Sequence, residues 1–357
     1  MTKVGVMRKV HIAFPLTVAA IIFAGLSPTG AQAAEADDAS TAVFAPSTFG
    51  RAATKVVSPR DGAAAAAAQD ARVKAYWTKE RLASAVPYES TKAGKAEAGT
   101  PRAATGPAGS TPPAAPLSKG ATPAAGGTVS KAATPVTLYS NTNGKLFFNG
   151  YGAGNAYCSA SAINSDTKRV IITAGHCVYD GGAWKTNAVF VPNYNNLLAD
   201  PDPKGIWSVY IFRTFNSWIN SGDLTRDVGF GTLYNGGDYN QRIVDAVGGH
   251  GLTWNGGYGW DVSIFGYPSN KTGPNGRYTM WACWGTTFPS GSRNSINGCW
   301  FGPGASGGPW LYQYSNSTGL GQVRSVTSTW NASTGQNWAP YFDDAVKAMK
   351  DATNGDW

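Results

Sequence analysis

Ser306 stands in Gly304-Ala305-Ser306-Gly307-Gly308-Pro309, with one glycine two residues before it and two directly after it. Glycine accepts backbone angles and close approaches that a Cβ forbids, so such a turn can hold a serine hydroxyl outward. The N–H groups of Gly304 and Ser306 can then converge beside that hydroxyl, the arrangement that stabilises the oxyanion of an acyl transfer. A glycine-rich turn with an unreactive serine is the competing reading. A base decides between the two, because a serine hydroxyl is a weak nucleophile until one takes its proton.

The same residues satisfy G-x-S-x-G, the strand-to-helix elbow of the α/β-hydrolases, whose histidine follows the serine in the chain. The three histidines here are His11, His176 and His250, and none follows Ser306, so that layout is excluded. His11 falls in an apparent leader. His176 closes Thr173-Ala174-Gly175-His176-Cys177 after the β-branched run Val170-Ile171-Ile172. A histidine at the end of a rigid strand, beside a cysteine, is well placed to be a fixed base. His250 sits in Val247-Gly248-Gly249-His250-Gly251 and reads as structural. Asp227 comes 51 residues after His176 and opens Asp227-Val228-Gly229-Phe230, and Ser306 follows 79 residues later. An aspartate there can accept from the second ring nitrogen of His176, fixing its tautomer and stabilising the imidazolium. Asp223 is the nearby competitor; Asp227 is preferred because its neighbours read as a buried strand.

These residues must be positioned by a body whose limits the composition marks. Lys3, Arg8 and Lys9, the apolar run Ile12–Leu26 and Ala31-Gln32-Ala33 describe a signal peptide over residues 1–33. The apolar run is short for a membrane span, and the product is expected to be secreted and extracellular. Residues 34–134 are rich in Ala, Thr, Pro and Gly, a composition that buries too little apolar surface to offset its ordering entropy. They are expected to be a mostly disordered pro-segment or linker, with a short helix near 70–83 where Val73, Trp77 and Leu82 approach helical spacing. Residues 1–134 hold 15 Lys+Arg against 8 Asp+Glu, a net of +7, whereas residues 135–357 hold 14 against 13, a net of +1. The basic excess is therefore confined to the N-terminal part, and the remainder has no stripe that would suit nucleic acid.

From residue 135 the texture is short apolar runs between Gly, Asn and Pro turns, such as Lys145-Leu146-Phe147-Phe148, Trp207-Ser208-Val209-Tyr210-Ile211-Phe212 and Gln322-Val323-Arg324-Ser325-Val326. Many short strands at this spacing predict an all-β sandwich or barrel. Phe342, Val346 and Met349 predict one C-terminal helix over about 340–352. All four cysteines, Cys158, Cys177, Cys283 and Cys299, lie in this part. An even number behind a secretory leader suggests two disulfides. Nearest-neighbour pairing would close modest loops, each contributing about 3 kcal/mol. Zinc is disfavoured by the absence of C-x-x-C and H-x-x-x-H spacing. Asn-x-Ser/Thr sequons at Asn270, Asn316 and Asn331 mark surface loops.

Taken together, Cys158-Ser159-Ala160-Ser161-Ala162-Ile163-Asn164, Thr173-Ala174-Gly175-His176-Cys177, Asp227-Val228-Gly229-Phe230 and Gly304-Ala305-Ser306-Gly307-Gly308-Pro309 resemble secreted bacterial trypsin-like serine peptidases of the chymotrypsin fold, in the branch related to glutamyl endopeptidases. The resemblance spans about residues 136–350. It implies two six-stranded antiparallel β-barrels, the first over about 136–250 and the second over about 251–338, with the active site between them. His176 and Asp227 would come from the first barrel and Ser306 from the second. Cys158–Cys177 would be the family's disulfide beside the histidine. The implied product is a monomeric serine endopeptidase acting on protein or peptide substrates without cofactor or metal, and with no membrane attachment after leader removal. A catalytically silent homologue that binds through the same cleft is the alternative, and a glycan-binding β-protein is a third reading suggested by the many Trp and Tyr residues. Two departures stand out. Ala305 replaces the aspartate that in many relatives receives the new N-terminus on activation. Trp300, followed by Phe301, stands where pockets for Arg or Lys carry an aspartate. Because glutamyl endopeptidases use a histidine after the nucleophile and none exists here, glutamate specificity is not transferred, and a bulky or apolar P1 side chain is expected.

Overall fold

The computed structural model describes residues 40–44, 62–90, 100–117, 134–135, 140–150, 154–196, 198–271 and 279–357. The leader expected over residues 1–33 lies outside them.

Six strands rich in β-branched and aromatic residues build the first barrel: β1 (Asn143–Gly150), β2 (Gly154–Ile163), β3 (Val170–Thr173), β4 (Thr186–Pro192), β5 (Trp207–Phe215) and β6 (Gly229–Leu233). They pair antiparallel in the order β5-β4-β1-β2-β3-β6, and β6 returns to β5 with Gly231 opposite Phe212, which closes the ring. Closure removes the open edges that an isolated sheet would expose.

β1 is buried at every position, because successive side chains point to opposite faces and both faces are covered. Leu146 and Phe148 belong to one core cluster and Phe147 to another. The cover over Phe147 comes from far up the chain. Helices α1 (Ala63–Tyr76) and α2 (Lys79–Ser84) lie there, with Val73, Trp77 and Leu82 in the same cluster as Phe147. The rings of Trp77 and Phe147 are 5.5 Å apart, and Trp77 Nε1 donates to the Asn187 carbonyl at 2.5 Å. Each of these three apolar side chains contributes about 1.5–3 kcal/mol by leaving water. The helix expected near 70–83 therefore runs as two pieces from 63 to 84, and residues 62–90 and 100–117 of the stretch expected to be mostly disordered are folded against the body. Composition misled here because the apolar residues find partners on the barrel and not within their own segment. Residues Ser40–Phe44 also add a strand antiparallel to β5, and Gly109–Thr111 pairs with Gly251–Trp254.

The second half contains β7 (Asp261–Gly266), β8 (Trp281–Thr286), β9 (Arg293–Ile296), β10 (Pro309–Ser315), β11 (Leu320–Val326) and β12 (Asn337–Ala339). β8, β7, β10 and β11 pair in that order within one sheet. β8 resumes after Thr287 as Phe288–Ser290 and pairs with β9; β11 resumes as Thr329–Trp330 and pairs with β12; β9 and β12 pair with each other. Following each strand through its bend returns the path to its start. The expected second barrel is thus two sheets joined at corners where strands change sheets, one of them at Thr327-Ser328. Helix α3 (Asp344–Ala352) follows the last strand, capped by the buried Asp343 carboxylate, which accepts from the N–H groups of Ala345 and Val346. Asp343 also accepts from Arg226 Nη1 at 2.9 Å and pairs with Arg102 Nε at 3.0 Å. No helix among the described residues is long and apolar enough to cross a membrane.

Candidate active site

His176 lies in a 3-10 turn, Gly175–Cys177, immediately after β3, and is fully buried. The turn is pinned from two sides. A disulfide joins Cys177 to Cys158 of β2, with Cα atoms 6.2 Å apart. The Asp227 carboxylate reaches across to accept from the His176 backbone N–H at 2.7 Å through one oxygen, and bonds His176 Nδ1 at 2.8 Å through the other. Since an ionised carboxylate only accepts, Nδ1 carries the proton and Nε2 is left as the basic nitrogen. Nε2 is buried and makes no hydrogen bond among the described residues.

Asp227 stands directly before Val228 and β6, as its sequence context suggested, and is completely buried. A third donor, the Ser328 hydroxyl, reaches the oxygen that also bonds His176 Nδ1, at 2.6 Å. Burial by itself would push this carboxyl up. The adjacent imidazole and the hydrogen bonds from His176 and Ser328 overcome it, so the net shift is below the ordinary carboxylate value. Asp223, the rival, accepts from the N–H and hydroxyl of Thr225 and caps the following turn instead.

Ser306 is 6% exposed, in the turn that leads into β10. The turn folds as the glycines predict. Gly304 has φ +87° and Gly307 φ +80°, a region that side chains disfavour. A Cβ on Gly307 would lie 2.0 Å from Thr173 Oγ1 and 2.9 Å from the Ala174 nitrogen, so the loop rests on the segment leading to His176. The Gly307 N–H donates to the Thr327 carbonyl at 2.7 Å, next to Ser328. Ser306 is therefore held between the strand end that carries His176 and the corner that supports Asp227. Ala305 is packed among Val262, Ile264 and Trp310, an apolar setting with no place for an ion pair.

Two serines without any motif of their own complete the frame. Ser159 of β2 donates its N–H to the Ser306 carbonyl at 2.8 Å and its hydroxyl to the Gly304 carbonyl at 2.8 Å, and that hydroxyl accepts from the Tyr267 N–H at 2.9 Å. Ser159 and Ser328 are small polar residues in strand contexts, so only their partners reveal them. Cys283–Cys299, the second pair, bridges β8 to the loop before Ser306, with Cα atoms 5.6 Å apart. His250 is placed elsewhere: it is fully buried, its Nδ1 accepts from the Gly321 N–H at 3.2 Å and its Nε2 bonds Asn143 Oδ1 at 2.9 Å. Trp300 is 40% exposed with φ +55°, whereas Phe301 is buried beside Cys299. Cys158, His176 and Cys177 converge closely enough to suggest a metal site, but both sulfurs are spent in the disulfide.

No protein-family model matches the chain, and no curated protein sequence matches it. Solved structures do. The protease Anisep from Arthrobacter nicotinovorans is 28% identical with a TM-score of 0.55, the match covering 63% of this chain and 100% of that one. A thermostable serine protease, AL20, from an extremophilic microorganism is also 28% identical, with a TM-score of 0.53 over 60% of this chain and 98% of that one. A Glu endopeptidase, 20% identical with a TM-score of 0.52 over 63% of this chain and 98% of that one, shares the fold. Each neighbour is spanned almost end to end, leaving more than a third of this chain outside the match. The architecture of this chain is therefore the chymotrypsin fold of the bacterial trypsin-like serine peptidases.

Proposed function

We propose that the chain is an exported serine endopeptidase that works through His176, Asp227 and Ser306. The observation that carries this reading is the grip of Asp227 on both the backbone N–H and Nδ1 of His176, which leaves Nε2 without a hydrogen bond among the described residues, while the Gly307 backbone next to Ser306 packs on Thr173 and Ala174 just before His176. His176 Nε2 takes the Ser306 proton as the hydroxyl oxygen attacks a peptide carbonyl. Asp227 stabilises the resulting imidazolium. The N–H groups of Gly304 and Ser306 receive the oxyanion, His176 then protonates the leaving amine, and water releases the acyl group by the same route in reverse. Two disulfides suit an oxidising compartment and hence export. Ala305 offers no carboxylate to a new N-terminus, so activation is proposed to work by another route.

The test is active-site labelling. Processed protein should form a covalent adduct on Ser306 with a phosphonofluoridate and cleave a peptide library, with no activity in Ser306→Ala. Absence of the adduct in processed, folded protein would favour a binding protein built on the same fold. The library also reads the P1 preference, for which a bulky or apolar side chain is expected because Trp300 stands where a counter-charge for Arg or Lys would be.

A further inference from the structure

Resting on that reading, we infer that Val86–Glu89 is an intramolecular inhibitor that fills the catalytic cleft, with Tyr88 as its plug and helices α1 and α2 as its anchor. The Tyr88 carbonyl accepts from the Gly304 N–H at 3.1 Å, which is one of the two amides expected to hold the oxyanion. The segment enters as an added strand: Val86–Pro87 runs parallel to β2 opposite Ala156 and Tyr157, and the Tyr88 N–H donates to the Tyr157 carbonyl at 2.8 Å. Among the described residues the Gly304 amide is the one main-chain donor to the Tyr88 carbonyl, so that carbonyl is docked without the second donor that attack requires.

The side chain covers the base. The Tyr88 ring lies over His176 with centroids 6.3 Å apart and planes inclined by 25°. It fits a pocket made for an aromatic ring that bears a hydroxyl: Phe148 lies edge-on at 5.4 Å, the Lys185 ammonium sits 3.9 Å from the ring centroid, and the phenol bonds Asp180 at 3.1 Å. Beyond it, Glu89 Oε1 accepts from Trp330 Nε1 at 2.9 Å, so the segment crosses from the first barrel to the second. The anchor is equally specific. Val73, Trp77 and Leu82 enter the core, and the Tyr76 hydroxyl bonds Asn155 at 2.7 Å beside the entry point of the added strand. A plug tethered this way competes with substrate at a millimolar-scale effective concentration.

The experiment uses the full exported chain and follows phosphonylation of Ser306. Three further forms are compared: Tyr88→Ala, Tyr88→Phe, and the full chain with a site-specific protease sequence inserted between Gly94 and Lys95, cut after folding and then diluted. The uncut chain is expected to label slowly. Tyr88→Ala and the cut, diluted chain should label about tenfold to a hundredfold faster, as loss of one buried aromatic anchor implies. Tyr88→Phe should stay within about threefold of the parent, since the ring and both main-chain bonds remain. Should Tyr88→Ala fail to fold, the cut chain carries the test alone. Equal labelling of uncut and cut chains would overturn the inhibitor while leaving the peptidase standing. Absence of labelling in every folded form would overturn the peptidase reading and the inhibitor with it.

Discussion

The surroundings of His176 and His250 make an instructive pair. Both imidazoles are fully buried, and both side chains are hydrogen bonded at ring nitrogens. His250 meets only neutral groups: the Gly321 amide fixes Nδ1 as an acceptor, so Nε2 holds the proton and donates to Asn143. Burial without a counter-charge pushes its pKa down to about 3, and the ring is a neutral crosslink between β1 and β11. His176 instead faces a carboxylate, and its second nitrogen has no hydrogen bond among the described residues. Burial alone therefore makes a histidine inert. A charged partner on one nitrogen and an unbonded second nitrogen are what the proposed base requires.

The largest effect should come from removing the charge that distinguishes the two. Asp227→Asn in processed enzyme should lower kcat by about 10⁴-fold with little change in KM, because the amide favours the wrong tautomer; an unchanged kcat would erase the contrast between the histidines. Ser328→Ala removes one of the donors to Asp227. It should raise the Asp227 pKa and reduce kcat/KM about tenfold, a fraction of what a charge-assisted bond is worth. His250→Gln should leave kcat/KM within about twofold while lowering the melting temperature, since it strands partners on two strands. Its acid signature is specific. The folded-state pKa of His250 lies below the unfolded value near 6.5, so the unfolded chain binds more protons between those limits. Stability should fall by about 1 kcal/mol per pH unit from pH 6.5 downward and level off near pH 3, and His250→Gln should flatten that limb in urea titrations. A limb that persists between pH 6.5 and about 4 in the variant would sink the assignment to His250, because the contribution of a buried carboxylate such as Asp227 is lost only below its ordinary range.

Much of the site could be read from local order. The glycines around Ser306 are demanded by positive φ angles and by the absence of space for a Cβ at Gly307. Asp227 outranks Asp223 because the apolar run behind it becomes β6. The cysteines pair with their nearest neighbours, and the C-terminal helix begins at Asp344, after Asp343 has capped it, where the periodicity had suggested an earlier start. The short helices Asn216–Ser221 and Ile243–Val247 escaped notice because neither is long enough to show a period. What sequence could not disclose is long-range pairing. Ser159, Ser328 and Tyr88 acquire meaning only from partners more than 60 residues away, and α1 and α2 look insoluble as a folding problem until the barrel surface supplies the other half of their core.

Ser159 carries a mechanical consequence. One small residue of the first barrel holds two carbonyls and one amide of the second, and two of those three groups belong to the Ser306 loop itself. A hinge motion between the halves would drag that loop with it. Interlobe alignment and the aim of the Ser306 hydroxyl are thus a single coordinate, so under the proposed chemistry a mutation far out on the seam would register first as lost turnover and only later as a loosened body.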